Sequence, residues 1–139
     1  METGNQTKFI SLMFSKDKKN TNVEGEIKRN ISNILNLRCT TKLEDFLSIK
    51  ENSFDFRNYG LPEVSHLNFE NVLDIDMLCR AIKISISAFE PRISNFQITF
   101  LKFDKMKKSV HLLMKGYITQ LFSTINIILK IGVWEFYLQ

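Results

Sequence analysis

The sequence predicts an α+β domain, with two main helices first and an antiparallel sheet of about three to four strands after them, and three features predict it. Apolar residues recur at helical spacing after Glu26 and again from Val72 to Phe89. Pro91 then interrupts the second pattern, because proline lacks an N–H, clashes with the preceding turn and pushes Glu90 out of the α region. Past that corner the apolar period changes to two, the spacing of a half-buried strand.

The chain divides into a polar segment, 1–25, and the domain proper, 26–139. Phe9, Ile10, Leu12, Met13 and Phe14 form a short apolar run, either a strand or a docking segment, and Lys16 to Gly25 reads as a loose linker. From Glu26 onward, Ile27, Ile31, Ile34, Leu35 and Arg38 trace one stripe of a short first helix. A long connection over 39–68 should hold a short helix near Leu43 to Ile49, since structureless loops of that length are uncommon in compact domains. Gly60 and Pro62 mark a turn, and Tyr59 beside it most simply tacks the loop onto the core.

The second helix carries Val72, Ile75, Cys79, Ile82, Ile86 and Phe89 along one side, with Asn68, Asp74 and Asp76 as candidates for its start. Ser85 and Ser87 fall on its expected solvent face. Phe96, Ile98 and Phe100 then alternate, a Lys-rich turn follows, and Val110, Leu112, Met114, Gly116 and Ile118 form the antiparallel partner. Ile125 to Val133 continue the alternation, with a bulge or bend at Gly132 before the aromatic tail of Trp134, Phe136 and Tyr137.

Composition narrows the function classes. A chain of 139 residues that is 44% hydrophobic, with twelve Phe, suits one well-packed domain rather than a disordered one. The net charge is +4, and its lysine groups, Lys16 to Lys19 and Lys105 to Lys108, trace no stripe along an element, so solvated lysine is expected rather than a nucleic-acid surface. Cys39 and Cys79 fit neither a metal motif nor a disulfide scaffold and read as packed thiols of a cytoplasmic protein. No stretch approaches a signal-peptide core or the roughly 18 apolar residues of a membrane span, so neither export nor membrane insertion is expected.

The motifs around the corner stand in a fixed order: Ile31-Ser-Asn-Ile-Leu-Asn-Leu-Arg38, then Tyr59-Gly-Leu-Pro62, then Glu90-Pro91-Arg92, then the strands. This order resembles the contractile-tail baseplate wedge family, which includes a phage wedge protein once labelled an acidic lysozyme and the TssE subunit of type VI secretion. Leu37 departs from the family's usual Thr and leaves Arg38 matched. The resemblance implies a structural subunit that assembles in the cytoplasm with TssF-, TssG- and TssK-like wedge proteins. It also implies an edge of β-structure on which sheath subunits begin to assemble. A phage or phage-derived tail protein carries the same motifs. The resemblance makes Glu90, Pro91 and Arg92 contact points for wedge partners. Arg38, Tyr59 and Gly60, with the tail residues Trp134 and Phe136, complete the candidate partner-binding set.

The residues themselves leave two choices open. Glu90 and Arg92 either brace the corner or meet a partner, since a guanidinium at an ordered corner suits both. Trp134, Phe136 and Tyr137 either close the domain's own core or border an open edge that a partner strand would cover.

Catalytic equipment is not evident in the sequence. Glycoside hydrolysis needs two carboxyl groups, one of them kept protonated, whereas Arg92 beside Glu90 favours the ionised form. His66 and His111 lack metal-ligand companions at local spacing, the serines lack a nucleophile elbow, and the glycines form no phosphate-binding loop. No catalytic residue, metal or cofactor is expected.

Overall fold

A computed structural model describes residues 16–50 and 53–139. Helix α1 spans Lys16–Asn36, α2 Leu43–Leu47 and α3 Val72–Phe89, with a 3-10 turn at Phe56–Asn58. Strands β1 (Ile93–Asp104), β2 (Ser109–Ile118), β3 (Leu121–Lys130) and β4 (Glu135–Leu138) follow in one antiparallel sheet, ordered β1-β2-β3-β4. The α+β architecture is therefore as the sequence predicts. The apolar run Phe9 to Phe14 lies outside the described residues.

The helices pack on one face of the sheet. Ile27, Ile31, Ile34 and Leu35 of α1 are fully buried, as are Leu112, Ile127 and Leu129 of the sheet. Alternation along β2 and β3 puts Val110, Leu112, Met114, Ile125, Ile127 and Leu129 on that inner face. Tyr117 and Phe122, opposite each other in register, share the other face, where their rings meet edge-on with centroids 5.5 Å apart.

Several local expectations change. Lys16 to Gly25, read as a linker, is the first half of α1. That half is almost wholly polar, so hydrophobic periodicity, which reports only packed helix, has nothing to register there. On α3 the buried face is Leu78, Ala81, Ile82, Ser85 and Ile86, whereas Val72 is 78% exposed. The expected stripe thus shares Ile82 and Ile86 with the real one and diverges toward the helix start. Ser85 is buried, its hydroxyl donating to the Gly60 carbonyl at 2.6 Å. The helix is capped by Asn71, whose Oδ1 accepts from the Leu73 and Asp74 amides. Asn68 Oδ1 instead accepts from the Glu70 amide in the turn before the helix, and the Asp74 carboxylate accepts from the Asn68 amide.

The β3–β4 connection also differs. Residues 131–134 form a turn, so the alternation from Ile125 to Val133 runs off the end of β3. Thr119 and Gln120, both with positive φ, make the two-residue β2–β3 turn, a conformation whose twist matches the flanking strands.

Gly116 occupies the tightest point of the sheet. A Cβ there would sit 2.4 Å from the Phe96 Cβ and 3.0 Å from its Cα, where β1 bulges between Ser94 and Gln97. Because the obstacle includes backbone, it cannot swing aside. Gly116→Ala should therefore destabilise the domain by about 1–3 kcal/mol, the usual cost of overpacking, read as a lower urea midpoint. An unchanged midpoint would mean that the β1 bulge is free to shift.

Candidate functional site

The three sequence motifs converge in space, although they are far apart in the chain. Leu37, Arg38 and Cys39 lie beside Gly60 and Leu61: the Leu61 amide donates to the Leu37 carbonyl (2.9 Å) and the Cys39 amide to the Leu61 carbonyl (3.1 Å). Gly60 has φ +106°, and an added Cβ would lie 2.6 Å from the Leu37 carbonyl oxygen. Glycine is required there both for the left-handed backbone and for the close approach. Tyr59 packs edge-on against Phe89, with centroids 4.9 Å apart, and so tacks the loop to the end of α3.

At that end the chain turns through Glu90-Pro91-Arg92. The helix ends at Phe89 and Glu90 takes an extended φ of −135°, as the following proline demands. Glu90 is fully buried. Its carboxylate accepts from the Arg92 amide (3.0 Å), from Arg92 Nε (2.9 Å) and Nη2 (2.9 Å), and from Asn30 Nδ2 (2.9 Å). The same Asn30 amide donates to the Phe89 carbonyl at 3.1 Å, and Tyr59 Oη donates to Asn30 Oδ1 at 3.4 Å. The remaining arm of Arg92 reaches Glu26 at 3.2 Å.

Burial alone would push the Glu90 carboxyl up, but the hydrogen bonds from Arg92 and Asn30 outweigh it and hold the group below its usual range. Arg92 is correspondingly raised, chiefly by its hydrogen bonds to Glu90. Both shifts favour the charged pair. A carboxyl held ionised and saturated with donors is the reverse of a glycosidase general acid. Its chemistry is to fix a guanidinium, and the Arg92 side chain stays 42% exposed beside the exposed Pro91.

A second cluster fastens the C-terminal strand. Asn36 Oδ1 accepts from the Phe136 amide at 2.7 Å, and its Nδ2 donates to the Phe136 carbonyl at 3.1 Å. Arg38 donates to the Leu35 carbonyl (2.7 Å) and the Trp134 carbonyl (3.2 Å), and its guanidinium carbon lies 5.8 Å from the centre of the Phe136 ring. Phe136 is buried in the core and Trp134 packs against Phe69, so these two aromatics close the domain's own interior. Tyr137 remains exposed on the other face.

The candidate residues thus form two groups, Tyr59, Glu90, Pro91 and Arg92 at the α3 exit and Arg38, Trp134 and Phe136 at β4, with Gly60 next to Tyr59 in the chain and close against Leu37, the neighbour of Arg38. Asn30 and Asn36, which organise the two groups, carry no sequence signal beyond an amide on a helix. Among the described residues no group of three or more His, Cys, Asp or Glu is placed to hold a metal ion, and Cys39 and Cys79 are free thiols. No helix of the described residues is long and apolar enough to cross a membrane.

A buried carboxylate that orients a partly exposed guanidinium is suited to contact with another protein. Residues 21–119 match the family described as baseplate wedge protein gp25, and the chain belongs to that family. No curated protein matches the sequence.

Proposed function

We propose that the protein is the TssE-like baseplate subunit of a type VI secretion apparatus, works by binding in the cytoplasm, and joins TssF-, TssG- and TssK-like wedge partners through the Glu90-Pro91-Arg92 corner. The observation that carries this reading is the state of Arg92. Its Nε and Nη2 are held by Glu90 and its Nη1 reaches Glu26, yet the side chain stays 42% exposed, so its remaining N–H groups stand ordered at the surface for a partner's carboxylate or carbonyl oxygens. Tyr59 and Gly60 support the corner from behind, and Arg38 with Trp134 and Phe136 anchors the strand end of the same domain. The sheet provides the base on which sheath subunits begin to assemble. Family membership fits a phage or phage-derived tail equally, and neighbouring genes for either a secretion apparatus or a phage tail separate the two.

Arg92→Ala tests the corner. Wedge partners co-purified with the variant should be reduced by about tenfold or more, the effect of losing an arginine hot spot. The isolated variant should melt lower, because the buried Glu90 carboxylate keeps donors only from Asn30 and the backbone amide of residue 92, but should remain folded well below that transition, where capture is compared. Arg92→Lys should rescue poorly, lacking the planar fork. A variant that melts far lower yet binds every partner normally would make Arg92 a brace and nothing more.

A further inference from the structure

The face of the sheet turned away from the helices has a charge and an apolar pattern of its own. Seven of the chain's 19 Lys and Arg but only one of its 15 acids, Asp104, fall between Pro91 and Trp134. The first three strands and their turns are therefore basic, on a domain whose remaining residues are net acidic.

Register sorts this outer face into rows. Ser94, Tyr117 and Phe122 form one row at the end where α3 exits, and Lys102, His111, Ile128 and Tyr137 form another toward the opposite end. Six positions of β2 separate Tyr117 from His111, about 20 Å along the strand. Lys115 stands between the rows, opposite Gln97 and Thr124. Among the described residues no Asp or Glu occupies the face from the first row to the second. Phe122 is 60% exposed and Tyr117 and Tyr137 are each 41% exposed, so the aromatic side chains of both rows lie open to water.

We propose that this face docks an acidic amphipathic helix of a wedge partner, about four turns long, laid along β2 and β3. The inference rests on the wedge reading above and adds a second contact surface to it. The backbone of β2 is paired on both sides, so the middle of the face offers side chains alone. Its occupant must satisfy its own backbone, as a helix does and an extended segment does not. Anchors about 20 Å apart match residues four turns apart on one helix face, at about 5.4 Å per turn. Acids beside those anchors would meet Lys115 and Lys102. Ser94 lies two positions from Arg92, so the face runs on into the Glu90-Pro91-Arg92 corner and one partner can engage both.

Other occupants fit less well. The Tyr117 and Phe122 rings are inclined at 70°, which leaves no parallel platform for successive bases of a nucleic acid. Lys130 is already engaged, with its ammonium 4.8 Å from the centre of the Tyr137 ring and Glu135 opposite it in register. Residues 1–15 of the chain itself hold one acid, Glu2, and do not supply the complementary charge.

The test uses the full chain co-expressed with the TssF-, TssG- and TssK-like subunits of the same apparatus. Phe122→Ser should reduce wedge capture by about tenfold or more, the effect of losing an aromatic hot spot. Lys115→Glu should reduce it by about fivefold or more, and the remaining capture should rise with added salt instead of falling. Both positions are exposed, so the isolated variants should melt within a few degrees of the unaltered chain. Carbodiimide coupling, which joins an amine directly to a carboxylate, gives a readout without substitution. It should link Lys115 and Lys102 to acids within one segment of about 15 residues in a single partner.

Unchanged capture with either variant, while Arg92→Ala still lowers it, overturns the docking face and leaves the wedge reading standing. Coupling of Lys115 to acids of a second copy of this chain overturns it as well. So does retention of a single-stranded oligonucleotide by the isolated chain that Phe122→Ser abolishes. Failure of the unaltered chain to capture any wedge subunit overturns the wedge reading and this inference together.

Discussion

Ile82→Asp should abolish the folded domain at 25 °C, with loss of the cooperative thermal transition and of helical circular dichroism. Ile82 is fully buried on the face that α3 turns to the core, among Leu78, Ala81 and Ile86. The substitution removes a buried branched side chain, which alone costs about 2–5 kcal/mol when truncated in a core. It also places a carboxyl among buried apolar side chains, and burial of an uncompensated polar group adds several kcal/mol more even if the group protonates. Together these approach the whole stability of a typical domain, about 5–15 kcal/mol.

Lys83→Glu, one residue on, is the control. Lys83 is exposed and its ammonium lies 5.9 Å from the centre of the Phe96 ring, a contact worth about 0.5–1 kcal/mol at such a site. The variant should therefore melt only a few degrees lower. Equal damage from the two substitutions would show that α3 faces the sheet in another orientation.

The two residues also show where sequence reading succeeds and fails. Ile82 and Ile86 lie on both the expected stripe and the observed one, because any helical period through so many apolar residues near the middle of α3 finds them. Val72 does not, being 78% exposed before the helix reaches the sheet. Ser85 was invisible as a core residue because its burial depends on a carbonyl at Gly60, twenty-five positions away, that accepts its proton. Periodicity records what a helix hides from water; it carries no record of which distant backbone group will satisfy a hydroxyl.

The site divides in the same way. The corner was legible because proline fixes local backbone, and Glu90 and Arg92 interact across only two positions. Gly60 was legible as a turn for a related reason. Asn30 and Asn36 were not, since their partners lie at Glu90 and Phe136, and an amide on a helix gives no sign of whether it faces water or a strand edge. The same clamp explains why an open C-terminal edge was a reasonable expectation: the aromatic tail reads as unpaired until the Asn36 side chain is seen bonded to it.

The second large effect is expected at Glu90, where a Glu90→Gln subunit should be less stable than the unaltered one by about 2–3 kcal/mol at pH 7. The amide keeps the size of the side chain but sets an NH2 against donors from Arg92 and Asn30 that now lack an acceptor. The loss should stay below the roughly 3–5 kcal/mol of a fully buried broken pair, because the Arg92 guanidinium can turn to water. The difference should also depend on pH in a defined direction. Glu90 has a folded pKa held below its unfolded value of about 4.3, so its contribution is complete above that value and is lost as pH falls through the folded pKa. Urea midpoints of the two proteins should therefore be well separated at pH 7 and draw together as pH falls progressively below about 4. The variant supplies the baseline for the other carboxylates, whose titration it shares. A separation that persists unchanged into acid would mean that the charge on Glu90 contributes nothing, leaving only the shape of its hydrogen bonds to hold the corner and orient Arg92.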